Sequence, residues 1–272
     1  MIYKYRSITK ETLDSILQNY VWMSNPNEFN DPFDSYLRYD YRGSAEEWKV
    51  FVKRTHSSTK GDSRERVSKL LDWDVAALEA LFNSESSQEM RSLERVRASF
   101  LVCCFSFTNR NLLMWSHYAD NHRGICLGYR TLKYKDWDML EIGDDRISEA
   151  TYISGGKYVP ILRVSYKRKF VQIVNPVSPL GTSVNDVITT KFYDWKYEKE
   201  CRIYKAFDGI LDVKVGVNTL QEISMGKRIP RRDEEFVMAF VAKLNSREGR
   251  KVRLYKMELG SDSFTLRKVR VQ

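Results

Sequence analysis

Apolar positions along this 272-residue chain recur at two spacings, and the switches between them mark its elements. Tyr3 to Ser7 reads as a short strand. Thr9 then caps a helix whose apolar face is Leu13, Ile16 and Leu17, at i, i+3, i+4 spacing. Val21-Trp-Met-Ser24 resumes as a strand and runs into Asn25-Pro-Asn-Glu-Phe-Asn-Asp-Pro-Phe-Asp34, where two prolines and three asparagines break regular structure. From 44 to 98 the pattern turns helical and rather polar. Ser44-Ala-Glu-Glu47 has the form of a capping box with Trp48, Phe51 and Val52 as the buried stripe, and Ser86-Ser-Gln-Glu89 is a second box ahead of Met90, Leu93 and Val96.

Phe100 to Phe107 is a buried strand by length and composition. Asn111 to Asn121 follows as a helix carrying Leu113, Trp115 and Tyr118, and Ile125 to Tyr129 returns as strand. Further strands are predicted at Glu149–Ile153, Ile161–Tyr166, Glu200–Phe207, Val252–Leu259 and Phe264–Val271. Helices are predicted at Val184–Trp195 and, amphipathic through Phe236, Val237, Phe240 and Val241, at Arg232–Leu244. Strands and helices do not alternate strictly, which favours α+β over a doubly wound sheet. No repeat, low-complexity tract or linker divides the chain, so residues 1–272 read as a single domain with 44–98 as a helical insertion or subdomain.

Composition adds little to the fold and more to the surroundings. Hydrophobic residues at 42% and charged residues at 30% are ordinary for a folded globular protein. Cys103, Cys104, Cys126 and Cys201 form no C-x-x-C pair, and two of them sit inside the apolar run Phe100–Phe105, as buried reduced thiols do. The N-terminus has no apolar leader and no stretch of ~18 apolar residues occurs, so neither export nor a membrane span is expected and the compartment reads as cytoplasmic. The net charge is +9, and residues 226–272 hold thirteen Lys/Arg against six Asp/Glu. That excess suits a polyanion such as nucleic acid, and equally a solvated basic face.

Several chemistries are disfavoured outright. There is no G-x-x-x-x-G-K-[ST], no G-x-G-x-x-G, no G-x-S-x-G and no H-E-x-x-H, and with only His56, His117 and His122 a histidine-rich metal site is nearly excluded. What remains is a set of polar residues on or beside apolar strands: Arg6 after Tyr3 and Tyr5, Ser106 in Cys-Phe-Ser-Phe, and Glu198-Lys-Glu200 leading into a strand.

Four passages together carry a family resemblance: Tyr3–Ser7, Ser24–Asp34, Cys104-Phe-Ser-Phe with Leu113-Met-Trp-Ser-His-Tyr-Ala-Asp and Gly124, and Lys191-Phe-Tyr-Asp-Trp-Lys-Tyr-Glu-Lys-Glu-Cys-Arg202. In that order they resemble the bacterial family catalogued as domain of unknown function 2971. The resemblance brings no agreed activity; it implies a setting in bacterial conflict or phage defence, as a toxin or anti-phage effector. More distantly, the order Arg6, Ser106, Glu198–Glu200 resembles the arginine–serine–glutamate arrangement of the ADP-ribosyltransferase superfamily. That resemblance implies a split mixed or antiparallel β-core gripping NAD as substrate, with a helical insertion where 44–98 falls.

In that scheme Arg6, a fixed planar cation, holds the NAD phosphates or ribose, and Ser106 shapes the site through backbone and ribose. Glu200 binds a ribose hydroxyl and stabilises the oxocarbenium-like cation as nicotinamide leaves. Glu198 orients the acceptor, and His117 is the candidate general acid or base, imidazole being the side chain suited to proton transfer near neutral pH. Tyr118 and Trp115 stack on nicotinamide, and Asn30 and Asp31 contribute from the first loop. Each residue also has a plainer role available. Arg6 could pair with a carboxylate of Asn30–Asp34, and Asp31 and Asp34 could close Asx turns. Glu200 could pair with Arg202, the aromatics Trp115, Tyr118, Trp195 and Tyr197 could be core, and His117 could be structural. Two other function classes stay open: a Mg²⁺-dependent nuclease or phosphodiesterase using Asp31, Asp34, Asp120 and Glu200, and a non-catalytic nucleic-acid-binding module using the basic 226–272 segment. A protein target or a cognate regulator is a further expected partner, and the oligomeric state is left open.

Overall fold

Two strands whose side chains are nearly all apolar or small set the frame: β2 (Phe100–Ser106) and β3 (Ile125–Tyr129), both almost wholly buried. The structure, a computed structural model, describes residues 1–36, 38–58, 62–84, 93–144, 147, 150–169, 173–178 and 184–271. Strands with apolar residues on both faces belong in the middle of a sheet covered on both sides, and β3 shows how the two faces divide. Ile125, Leu127 and Tyr129 join the larger core cluster, while Cys126 joins a second cluster on the opposite face.

Around them lie β1 (Ile2–Arg6), β4 (Leu132–Tyr134), β5 (Trp137–Ile142), β6 (Thr151–Ile153), β7 (Gly156–Arg163), β8 (Glu200–Ala206), β9 (Leu220–Met225), β10 (Arg253–Leu259) and β11 (Leu266–Arg270). They form an eleven-stranded mixed sheet in the order β11-β10-β9-β3-β1-β2-β8-β7-β5-β4, with β6 paired to β7. Every pairing in it is antiparallel except β9 with β10. A parallel neighbour needs a crossover, and the long helix α8 (Arg231–Glu248) supplies it here.

The first helix, α1 (Lys10–Leu17), is capped by Thr9, whose side chain accepts from the Thr12 amide at 3.3 Å. It contributes Ile16 to the larger core, where α8 contributes Val237, Val241 and Leu244. The other face of the sheet is covered by α6 (Leu112–Tyr118), which buries Met114 and Trp115 against Tyr5, Cys126 and Met257. Between β1 and β2 in sequence come α2 (Ala45–Ser58), α3 (Asp62–Lys69), α4 (Val75–Asn83) and α5 (Leu93–Ala98). Their apolar stripe is as the capping box at Ser44 suggests: Trp48, Phe51 and Val52 pack with Leu78, Phe82 and Tyr41 in a cluster separate from the sheet's own. The Ser44 box is formed, with the Glu47 carboxylate accepting from the Ser44 amide at 2.8 Å. The second box, at Ser86–Glu89, lies outside the described residues.

The α+β class therefore holds, with several elements differing from expectation. The predicted helix at Val184–Trp195 is a short helix α7 (Val184–Ile188), a strand at Thr190–Phe192 and a 3-10 turn at Tyr193–Glu198. The strand at Thr190–Phe192 pairs in parallel with Ser165–Lys167, which fixes Lys191 in an extended backbone. The predicted Ile161–Tyr166 strand is divided between β7 and Ser165–Lys167. The hairpin β4–β5 and strand β9 were not expected at all. All four cysteines are unpaired, and among the described residues no helix is long and apolar enough to cross a membrane.

Candidate functional site

The sheet is not zipped evenly. Strand β1 pairs with β3 along all five residues, from Ile2↔Tyr129 to Arg6↔Ile125, but meets β2 at a single pair, Tyr3↔Ser106. Beyond that pair the strands splay. Buried backbone groups need partners wherever a ladder opens, and two substitutes supply them. The Lys4 ammonium donates to the Cys104 carbonyl at 3.0 Å, and Ser24 exchanges two backbone bonds with Val102, both at 2.9 Å. The first loop thus enters as a wedge between β1 and β2.

A cleft of about 500 Å³ lies in the splay. Arg6 lines one wall, Asn30 and Asp34 come from the wedge, and Ser106, His117, Tyr118, Lys191, Glu198 and Glu200 line the rest. Most of the residues singled out in the sequence are therefore brought together. Two are not. Trp115 is fully buried, donates its indole N–H to the Asn109 carbonyl at 2.7 Å and meets Tyr5 edge-on, so it is core and no stacking surface. Asp31 is buried in an Asx turn, its Oδ1 accepting from the Phe33 amide at 2.9 Å, and does not line the cleft.

The floor is a buried charge cluster. Arg202, wholly buried on β8, donates to Glu200 from Nε at 2.8 Å and from Nη2 at 3.0 Å. It also clamps Asp34, Nη1 to Oδ1 at 2.7 Å and Nη2 to Oδ2 at 2.6 Å. Lys191 donates to Glu198 Oε2 at 2.6 Å and Glu200 Oε2 at 3.1 Å, and stands 3.5 Å from Asp34. Three carboxylates thus face two cations. The plainer expectation for Glu200, a pairing with Arg202, is met, but in the interior and not on the strand surface. The pairing expected of Arg6 with the Asn30–Asp34 segment is not formed: Asp34 belongs to Arg202. Among the described residues Arg6 has no ion-pair or side-chain hydrogen-bond partner.

The two glutamates are therefore different groups. Burial pushes the Glu200 carboxyl up, but the Arg202 guanidinium and Lys191 ammonium overcome it and hold it well below the usual carboxylate range. For Glu198 burial wins over Lys191, with Glu200 adding to it, and the pKa is raised. Glu198 closes the 3-10 turn, and Lys199 after it is left-handed at φ 45°, ψ 49°. Ser106 Oγ donates to the Glu198 carbonyl at 2.5 Å and accepts from the Thr108 amide at 3.1 Å, so its role is to seat the turn that carries Glu198. The Tyr118 hydroxyl donates to Glu198 Oε1 at 2.7 Å and accepts from Asn30 at 3.1 Å. Burial and the neighbouring Glu198 raise the Tyr118 pKa, so it stays a phenol and a donor. His117 is exposed on the same wall, its ring 6.2 Å from those of Tyr118 and Tyr197. Cys104 also lines the cleft, but burial raises its thiol pKa and keeps it un-ionised.

The sequence did not reveal Lys191 or Arg202 as site residues. Both lie inside the quoted Lys191–Arg202 passage, where two cations frame a Glu-Lys-Glu; that framing was the available signal. The carboxylates weighed for a metal do not converge: Asp34 and Glu200 share Arg202, Asp31 is turned into its own loop, and Asp120 pairs with exposed Arg123 at 2.9 Å. Among the described residues no three His, Cys, Asp or Glu side chains are grouped to hold a metal ion.

The turn after α6 explains Gly124. Asp120, Asn121 and His122 are all left-handed, and a Cβ on Gly124 would stand 2.3 Å from the Arg6 carbonyl. Only glycine lets the turn pass so close behind Arg6. No curated protein and no solved structure gives a significant match to the chain. The model of the family described as "Protein of unknown function (DUF2971)" matches residues 114–203, which include His117, Tyr118, Lys191, Glu198 and Glu200 and continue through Arg202 into β8. The matched stretch, about a third of the chain, is thus similar to that family, and it contributes Lys191, Glu198, Glu200 and Arg202 of the charged floor and one wall of the cleft.

Proposed function

We propose that this protein is an NAD-consuming enzyme of the ADP-ribosyltransferase type, which breaks the nicotinamide–ribose bond and passes ADP-ribose to a macromolecule. The observation that carries the reading is the splay between β1 and β2: a cleft of about 500 Å³ with an unpartnered guanidinium, Arg6, and a carboxylate of raised pKa, Glu198, among its lining residues. Pockets of this size suit a ligand of nucleotide dimensions. The opened sheet also supports a split β-core of the kind that grips NAD in that superfamily.

In this reading Arg6 binds the pyrophosphate in fork geometry. Glu198, oriented by Tyr118 and Ser106, accepts from a ribose hydroxyl, since each carboxylate oxygen has more than one acceptor site. The bond from ribose C1′ to the nicotinamide nitrogen breaks, and its electron pair leaves with nicotinamide. The positive charge left on C1′ develops beside the Glu198 carboxylate, which is already in place and does not need to reorganise. The acceptor atom then bonds to C1′ and its proton passes to His117; with water in that place the outcome is hydrolysis. Glu198, not Glu200, takes the role of catalytic carboxylate, because Arg202 holds both oxygens of Glu200, whereas Glu198, among the described residues, meets only Lys191 and Tyr118, one at each oxygen. Consumption of NAD or marking of a macromolecule also accords with the toxin or anti-phage role implied by the family resemblance.

The test is release of nicotinamide from NAD by the pure protein and by Glu198→Gln. Loss of turnover on the order of 100- to 1,000-fold in a folded variant is expected. Full activity in Glu198→Gln, or no release by the parent protein with nucleic acid and protein acceptors supplied, would overturn the assignment.

A further inference from the structure

The charge excess of residues 226–272 does not form one open basic face. Lys227 pairs with Glu258, Arg231 with Glu235, Arg253 and Lys268 with Glu222, and Lys256 with Glu234. Those cations serve the fold. The tip of the β10–β11 hairpin is different. There Phe264 is completely exposed beside Thr265 and Arg267, and the hairpin faces Arg110 and Leu113, the latter half exposed, across a groove of about 480 Å³.

Arg110 and Arg267 are both exposed, and among the described residues neither guanidinium has an ion-pair or hydrogen-bond partner. Glu258, opposite Arg267 in the β10–β11 ladder, is taken by Lys227. Asp262, the hairpin's own carboxylate, accepts from Ser261 and does not line the groove. Among the described residues no acidic side chain lines it. A free aromatic face and two free guanidiniums at one groove match one polymer closely: phosphates for the arginines and an unstacked base for the ring. A protein surface would need apolar or acidic knobs in a fixed arrangement, whereas a strand of nucleotides offers both groups at every step.

We infer that this groove binds single-stranded nucleic acid, with Phe264 stacking on a base and Arg110 and Arg267 holding the flanking phosphates. Helix α6 runs from Leu112 at the groove to His117 and Tyr118 at the cleft, seven residues or about 10 Å of helix. A strand seated in the groove is therefore close enough to present an atom to the cleft. That last step, and only that step, rests on the transferase reading: the bound strand is then the acceptor of ADP-ribose.

Fluorescence anisotropy of a short labelled oligothymidylate with the full chain tests the groove without NAD. Phe264→Ala is expected to weaken binding about tenfold with the salt dependence unchanged. Arg110→Ala with Arg267→Ala is expected to flatten the plot of log affinity against log salt by about 1.4, the loss of two phosphate contacts. Thermal melting checks that these exposed substitutions leave the fold intact. Affinity that survives both variants in full overturns the inference. So does equally tight binding of a labelled polyglutamate peptide, which marks a protein acceptor. If oligonucleotide binding behaves as expected and nicotinamide release fails, the groove stands and the transferase reading alone falls.

Discussion

Arg202 and Asp34, 168 residues apart in the chain, meet in two parallel hydrogen bonds of 2.7 and 2.6 Å with almost no exposure of either side chain. The pair ties β8 to the wedge loop and holds that loop in the opened sheet. A buried ion pair of this kind is weak evidence of net stabilisation, because desolvation costs offset the attraction. Breaking one side is another matter, since it strands a charge in the interior.

Arg202→Leu should therefore cost roughly 3–5 kcal/mol, because Asp34 and Glu200 lose their shared partner and face one another with Lys191 alone. Urea denaturation measures it. A loss under about 1 kcal/mol would mean the cluster relaxes into water and contradict its burial.

The two glutamates give the protein a pH signature of stability. The folded pKa of Glu200 is depressed, so its stabilisation is complete above its unfolded value of about 4.3 and is lost as pH falls toward the folded one. The folded pKa of Glu198 is raised, so its ionisation opposes folding at neutral pH and that penalty is relieved as pH falls through the raised value. Urea midpoints should thus hold or rise slightly on mild acidification before collapsing below about pH 4.3. In Glu200→Gln the acid collapse should be shallower, and an unchanged collapse would show that other carboxylates cause it.

On the proposed transferase reading, the same Glu198 titration should move activity in the opposite sense to stability. With Glu198 required as a carboxylate, nicotinamide release should fall as pH drops through its raised pKa, above the ordinary glutamate value. Tyr118→Phe removes a hydrogen bond that lowers that pKa, so the acid limb should move to higher pH while activity at alkaline pH is kept. A limb that stays in place in Tyr118→Phe would separate Glu198 from the titration.

Gly124→Ala should cost roughly 1–3 kcal/mol, as overpacking does, since a methyl group 2.3 Å from the Arg6 carbonyl cannot be accommodated without moving β1 or the turn. Because Arg6 moves with it, the proposed function predicts that NAD binds more weakly than the loss of stability alone explains. Calorimetric titration beside a melting curve tells the two effects apart.

How far the sequence could be read depended on whether burial left a mark in the residue pattern. Strands β2 and β3 were plain because an apolar run has few other uses, and the convergence of Arg6, Ser106, Tyr118 and Glu198–Glu200 could be anticipated from their shared passages. Strand β4 was invisible because it lies at the sheet's edge, all three of its residues exposed. The segment Val184–Trp195 reads from its sequence as one helix, yet its β-branched and aromatic residues suit a strand equally, and Thr190–Phe192 is held extended by pairing with Ser165–Lys167. Trp115 was aimed at the cleft because aromatics serve cofactors and cores alike, and only the direction of its N–H decides between them. Lys191 was overlooked because lysine is so seldom buried; of its three carboxylate neighbours Asp34 is distant in the chain, Glu198 closes the turn after it and Glu200 opens β8.

The Lys4 ammonium bonded to the Cys104 carbonyl has a mechanical meaning. On one side of it five strands, and on the other side six, pair among themselves, each neighbouring pair by two rungs or more. Between the halves the direct β1–β2 ladder is a single rung at Tyr3 and Ser106, with one long flexible side chain bridging the strands beyond it. Stiffness is therefore concentrated within each half and compliance along the line that divides them. The halves resemble the leaves of a book with a short spine, and the pages part where the cleft already lies.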